Sequence, residues 1–238
     1  MQAIIFDFNG VIADDETPHF FCFRQALKES GLSLTSDEYY GTYLGMDERT
    51  CTRILLTHRD GVCNDDLLER VTLRKAELFR IHTANHRPEF FPGVVEFVQA
   101  AGRRYRLAIA SGGRRSQIDA ALGDTPIEQV FEVIVAAEDC PVGKPDPAIY
   151  RLTLERLNRS SRTTSLLGPR NCFVIEDSLA GIQSAQAAGM PVLAVATTYP
   201  IEKLNGANLV TRDLRQIPPD SLLERMAQIS NGSHSEGS

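Results

Sequence analysis

The chain of 238 residues carries 25 Lys and Arg against 31 Asp and Glu, a formal net charge of −6 at pH 7, and is 42% hydrophobic and 24% charged. This balance suits one substantial core with room for a smaller second domain and lacks the basic footprint of a nucleic-acid binder. No apolar stretch approaches the roughly 20 residues of a membrane span, the start MQAII lacks signal-peptide features, and five scattered cysteines without C-x-x-C spacing read as reduced thiols, so the expectation is a cytoplasmic protein with no membrane partner.

The first predicted element is a short strand, AIIFD (3–7), which ends on Asp7 and enters a turn at Gly10. From Asp15 to Arg87 no convincing strand follows. Phe20, Phe23, Ala26 and Leu27 recur at helical spacing before Gly31 stops the pattern, and further helical patterns run through ILLTHRD and DDLLERVTLRKAELFRIHTANH. Residues 15–87 are therefore expected to form an all-α cap inserted over the active-site edge, selecting substrate and excluding water. The tyrosines 39, 40 and 43, with Met46, read as cap core more than as substrate contacts.

Beyond Pro88 the apolar runs RLAIA (106–110), EVIVA (132–136), CFVIE (172–176) and PVLAV (191–195) alternate with helical patterns at 92–101, 116–122, 147–157 and 178–188. Strands apolar almost throughout, alternating with helices, predict an α/β fold with a doubly wound, Rossmann-like parallel sheet, built from residues 1–14 and 88–230. Arg103 and Arg104 should lie at the opposite end of the second core strand from Arg114 and Arg115, so they do not form one patch. The polar stretch 158–171 is expected to be an exposed excursion, and the tail 231–238 to be disordered.

In a sheet of this kind the ligand site lies beyond the carboxyl ends of the strands. Four pieces fall there in order: Asp7; Ser111 with Gly112 and Gly113; Lys144 in GKPDP; and the pair Glu176–Asp177. Each alone also reads as turn or cap chemistry, but their convergence on one edge suits phosphoryl transfer through an aspartyl phosphate. Asp7 would attack phosphorus, and Asp177 with Glu176, directly or through water, would hold Mg2+. Ser111 and the amides after it would grip phosphate oxygens, Lys144 would neutralise charge, and Arg114 could steer an anion.

The ordered set DFNGVIADD, IASGG, GKPDP and VIEDSLAGIQSAQAAGM resembles the haloacid dehalogenase superfamily, in the subfamily with a helical cap after the first motif, similar to β-phosphoglucomutases and small-metabolite phosphatases. The resemblance spans residues 1 to about 215. It implies Asp7 as nucleophile, the main-chain carbonyl of Asn9 and the Asp177 carboxylate on Mg2+, Ser111 and Lys144 on phosphate, and a small phosphorylated metabolite as partner. Hydrolysis is the first expectation, with phosphomutase or a non-catalytic phosphometabolite-binding protein as alternatives.

One position departs from the family. Most phosphatases and mutases of this kind carry an aspartate two residues after the nucleophile, which protonates the leaving oxygen and then deprotonates the attacking water; this chain has Asn9, which can do neither. A positioned acid or base contributes about 10² to 10⁴ in rate. Candidate replacements are Asp15, where many relatives have serine or threonine, its neighbours Asp14, Glu16 and His19, and Asp47 or Glu48 in the cap loop. Phosphonate cleavage through a Schiff base on a cap lysine, as in phosphonatases of this family, fits poorly, because the corresponding loop offers Met46, Asp47, Glu48 and Arg49 without lysine, and Lys28 and Lys75, the only lysines of the cap, both read as solvent-facing.

Overall fold

The structure is a computed structural model and describes residues 2–222 apart from 44–45, 47, 62 and 161–165. Six strands form one parallel sheet in the order β5-β4-β1-β6-β7-β8: β1 (Ala3–Phe6), β4 (Arg106–Ala110), β5 (Val133–Val135), β6 (Cys172–Glu176), β7 (Val192–Val195) and β8 (Leu209–Thr211). Every pairing in it is parallel, with Phe6 opposite both Ile109 and Ile175. The two central strands reach the same height, which brings the residues that follow them to one edge.

Period-two alternation sorts the sheet's side chains onto two faces. Ile4, Phe6, Phe173 and Ile175 pack on one face with α5 (Val94–Gly102) and α6 (Arg115–Leu122), around Phe97, Val98 and Ile118. Ala3, Ile5, Cys172 and Val174 pack on the other with α7 (Ala148–Arg159) and α8 (Leu179–Ala187), around Tyr150, Leu157 and Ile182. Both faces being covered explains the nearly continuous apolar runs of the strands. The strand β8 was not anticipated; LVT is too short and too weakly apolar to stand out.

Between β1 and α5 the chain leaves the sheet and returns through a two-stranded antiparallel link, β2 (Ala13–Asp14) against β3 (Glu89–Phe90). The intervening residues form α1 (Glu16–Glu29), α2 (Ser36–Glu38), a π-helical turn at Tyr39–Tyr43, α3 (Glu48–Asp60) and α4 (Asp65–Asn85). These pack around Phe20, Phe23, Leu27, Leu56, Leu68 and Val71, a core of their own. Tyr39 and Tyr43 are buried in it, whereas Tyr40 and Met46 are partly exposed.

Lys75 corrects the sequence reading. It is 1% exposed, because it follows Leu68 and Val71 on the buried stripe of α4 and precedes Phe79 on the same stripe. Of the stretch 158–171, residues 161–165 lie outside the described residues; on either side of them the Asn158 side chain accepts from Leu167 N and donates to Leu167 O, and Pro169–Asn171 form a 3₁₀ turn. Arg103 and Arg104 precede β4 while Arg114 and Arg115 follow it, so the two pairs lie at opposite ends of the strand. The expected disordered tail and Asp47 lie outside the described residues.

Candidate active site

Three carboxylates meet at the carboxyl edge of the sheet. Asp7 follows β1, with its amide donating to Ile175 O at 2.9 Å. Glu176 ends β6 and Asp177 follows it, and one oxygen from each of the three lies within 4.8 Å of the others. All three are buried. Such an approach requires space that only glycine leaves: Gly10 sits at φ +77°, and a Cβ there would stand 2.0 Å from Asp177 Oδ2, while one at Gly181 would stand 1.8 Å from Glu176 Oε1.

Lys144 is the cation among them, 3.0 Å from Asp7 Oδ1 and 2.6 Å from Glu176 Oε1. Burial alone would lower its pKa, but the Asp7 and Glu176 carboxylates outweigh it and hold the ammonium well above the ordinary lysine value. Glu176 is saturated by protein donors. Its Oε1 also accepts from Tyr150 Oη at 2.8 Å, and its Oε2 accepts from the amides of Asp177 and Ser178 and from Ser178 Oγ. Although burial opposes its charge, Lys144 and these donors keep its pKa below the usual carboxylate range.

Asp7 and Asp177 are less well compensated. Burial, with Glu176 adding to it and Lys144 working against it, lifts Asp7 to about 7. Burial and the two neighbouring carboxylates raise Asp177 well above its ordinary value, although Thr198 Oγ1 donates to its Oδ2. Three buried carboxylates facing one lysine leave negative charge that a divalent cation would offset. Asp7 and Asp177 retain oxygen capacity for it, so the donor set fits an oxygen-seeking ion such as Mg2+, with Glu176 serving as the scaffold behind.

Ser111 follows β4, its amide donating to Val135 O and its hydroxyl accepting from Gly113 N at 3.0 Å. Beside it stands Asn9, whose Oδ1 receives the Ser111 hydroxyl at 3.4 Å. The Asn9 amide nitrogen donates to Asp15 Oδ2 at 2.6 Å and lies 3.1 Å from His19 Nε2. Asp15 caps no helix: although it precedes α1, its side chain makes no bond to the first-turn amides and turns to Asn9 instead. His19 Nε2 is 3.3 Å from Asp15 Oδ2, its Nδ1 is 2.6 Å from Lys75 Nζ, and its ring lies against Phe79.

A cavity of about 300 Å³ opens between cap and core. Its core wall carries Asp7, Asn9, Ser111 with Gly112 and Gly113, Lys144 and Asp177; its cap wall carries Glu16, His19, Tyr39, Arg49 and Lys75. Arg114 also lines it, whereas Asp15 lies behind Asn9 and His19. Lys75, Tyr150 and Thr198 were missed from sequence, while Tyr39, read as cap core, is buried there and also lines the cavity. Lys75 had a usable signal, since a lysine four residues from Val71 and from Phe79 on a helix occupies the apolar stripe. Thr198 had another, because TTYP follows the tip of the strand PVLAV.

A family model for haloacid dehalogenase-like hydrolases matches residues 4–195. The chain belongs to this family. It is 32% identical over 214 residues to protein CbbY of Rhodobacter capsulatus, covering 84% of this chain and 87% of that protein. It is also 32% identical over 196 residues to a phosphorylated carbohydrates phosphatase of Thermotoga maritima, covering 80% and 82%. In fold it is similar to a solved β-phosphoglucomutase from Clostridium difficile, with a TM-score of 0.81, 21% identity and 97% and 99% of the two chains covered. Among the described residues no helix is long and apolar enough to cross a membrane.

Proposed function

We propose that this protein is a Mg2+-dependent phosphatase that hydrolyses small phosphorylated metabolites through a phosphoryl group carried on Asp7. The observation that carries this reading is the convergence of Asp7, Lys144 and Asp177 on a cavity also lined by Ser111, Gly112 and Gly113. An in-line attack by an Asp7 oxygen needs the phosphoryl charge balanced and its oxygens held. Lys144 supplies the balance, and Ser111 with the Gly112 amide supplies the grip, the Gly113 amide holding the Ser111 hydroxyl in place. Glu176, fixed by Tyr150 and the Ser178 amide and hydroxyl, keeps Lys144 aimed. Asp7, Asp177 and the main-chain carbonyl of Asn9 would hold Mg2+, whose charge would offset the like charges of nucleophile and phosphate.

The cap wall suits a polar metabolite. Glu16 accepts from Tyr39 Oη at 2.6 Å and faces the cavity, ready to receive a substrate hydroxyl, while Arg49 and Arg114 favour an anionic distal end. The kinship with a phosphatase of phosphorylated carbohydrates supports the same class.

The test is a screen of phosphorylated sugars, polyols and short acids for inorganic phosphate release, with Mg2+ or with chelator, on the wild type and Asp7→Asn. Mg2+-dependent release that disappears in folded Asp7→Asn is expected. Release persisting at wild-type rates in that variant would refute the nucleophile assignment.

A further inference from the structure

The loop after β7 reads ATTYP (196–200) and belongs to none of the motifs that carry the phosphatase reading. Register brings it to the site: Glu176 of β6 pairs with Ala194 of β7, so the chain that leaves β7 passes beside Asp177 as it leaves β6. Thr197 Oγ1 donates to Gly10 O, in the turn after the nucleophile. One residue on, Thr198 Oγ1 donates to Asp177 Oδ2. Tyr199 then packs against both the core on the α7–α8 face of the sheet and the core of the cap. Successive side chains thus tie this loop to the nucleophile turn, to a carboxylate of the candidate cation site and to the cap, which leaves Thr198 little freedom to turn away.

Asp177 is anchored by one oxygen. Its Oδ2 takes the Thr198 proton and lies on the Gly10 side, where a Cβ would stand 2.0 Å from it. Among the described residues its Oδ1 accepts no hydrogen bond, and the carboxylate lines the cavity within reach of the Asp7 and Glu176 oxygens. Those two carboxylates repel it, so a partner on Oδ2 is needed to hold it among them. A metal-ligating carboxylate is commonly oriented in this way by a hydrogen bond to the oxygen or edge that the ion does not use, and loss of such a partner weakens metal binding.

We propose that Thr198 is a positioning residue of the cation site: its hydroxyl fixes Asp177 through Oδ2 and leaves Oδ1 for Mg2+, and without that hydroxyl the ion binds more weakly. The inference deepens the phosphatase reading above and rests on its assignment of Asp177 to Mg2+. Thr198 is not itself a ligand; it acts through Asp177. Valine keeps the branched shape of threonine without the donor, alanine removes both, and serine keeps the donor without the methyl group.

The experiment measures binding of Mg2+ alone to the full chain by titration calorimetry, for the wild type, Thr198→Val, Thr198→Ala, Thr198→Ser and Asp177→Asn, with melts in chelator to establish folding. Thr198→Val and Thr198→Ala are expected to raise the Mg2+ Kd about 10- to 100-fold, Thr198→Ser to keep the wild-type Kd, and Asp177→Asn to bind most weakly. In melts, the Mg2+-induced rise in Tm should shrink in the variants that lack the hydroxyl and return when the ion concentration is raised in proportion. A wild-type Kd in folded Thr198→Val or Thr198→Ala, or binding by Thr198→Ser as weak as theirs, would overturn the role of Thr198 and leave the Mg2+ assignment standing. No Mg2+ binding by the wild type, or binding by Asp177→Asn equal to it, would overturn the cation assignment and the role of Thr198 with it. Phosphate release enters none of these measurements, so the ester screen above tests hydrolysis separately.

Discussion

The crowding of Asp7, Glu176 and Asp177 around one lysine should make the metal-free protein less stable as pH rises toward neutrality. The Asp7 carboxyl is protonated in folded and unfolded chains alike below about pH 3.8; between 3.8 and about 7 the folded chain keeps a proton that the unfolded chain releases. Stability from this group is therefore greatest below 3.8, falls as pH climbs through that window and levels off above it. The span is worth roughly 4 kcal/mol at about 1.4 kcal/mol per pH unit, and Asp177 acts in the same direction. At 2–4 °C per kcal/mol for a chain of this size, the fall in Tm is on the order of 10 °C. The assay is a thermal melt in chelator from pH 4.5 to 7.5, run on the wild type and on Asp7→Asn, which keeps the shape and removes the titration. The wild-type Tm should fall more steeply than that of the variant. At neutral pH, Mg2+ at about 100 times its Kd should return about 2.7 kcal/mol. A wild-type Tm that falls no more steeply than that of Asp7→Asn in chelator would refute the reasoning.

Three further outcomes follow from the geometry. Gly10→Ala adds a methyl that meets Asp177 Oδ2 and forces a side chain into φ +77°, so it should destabilise the fold by at least about 1 kcal/mol and abolish Mg2+-dependent stabilisation, both read from melts with and without the ion. Tyr150→Phe removes a buried donor to Glu176, costing about 1.5–3 kcal/mol in urea unfolding and lowering kcat through Lys144 more than it raises KM. Asp177→Asn should stabilise the metal-free protein at pH 7 while erasing the Mg2+-induced rise in Tm; a rise of wild-type size would remove Asp177 from the cation site.

Most of the sheet was legible because its strands are covered on both faces, and RLAIA and CFVIE therefore carry unbroken apolar runs. The strand β8 and the pair β2–β3 escaped notice because two or three residues carry no periodicity. At the candidate site, the meeting of Asp7, Ser111, Lys144 and the Glu176–Asp177 pair on one edge was legible from position, since Asp7, Ser111 and the acidic pair follow or end strands of one parallel sheet and Lys144 lies in the loop that leaves β5. Tyr150 was not, because its hydroxyl matters through a partner 26 positions away that only the packing of α7 on the sheet brings near. Lys75 was misread for a different reason: charge argued for solvent, whereas its place on the stripe with Leu68, Val71 and Phe79 argued for burial, and packing prevailed.

The link between β2 and β3 is narrow, two residues on each side, and Asp15, His19 and Lys75 lie beyond it while Asn9, Asp7 and Lys144 lie before or outside it. Across that narrow link the two walls of the cavity meet at the Asn9 side chain, where Asp15 and His19 reach over from the helical side; a rotation of the helical segment about it would carry His19 and Lys75 away from Asn9 while Asp7, Ser111 and Lys144 stayed at the edge of the sheet.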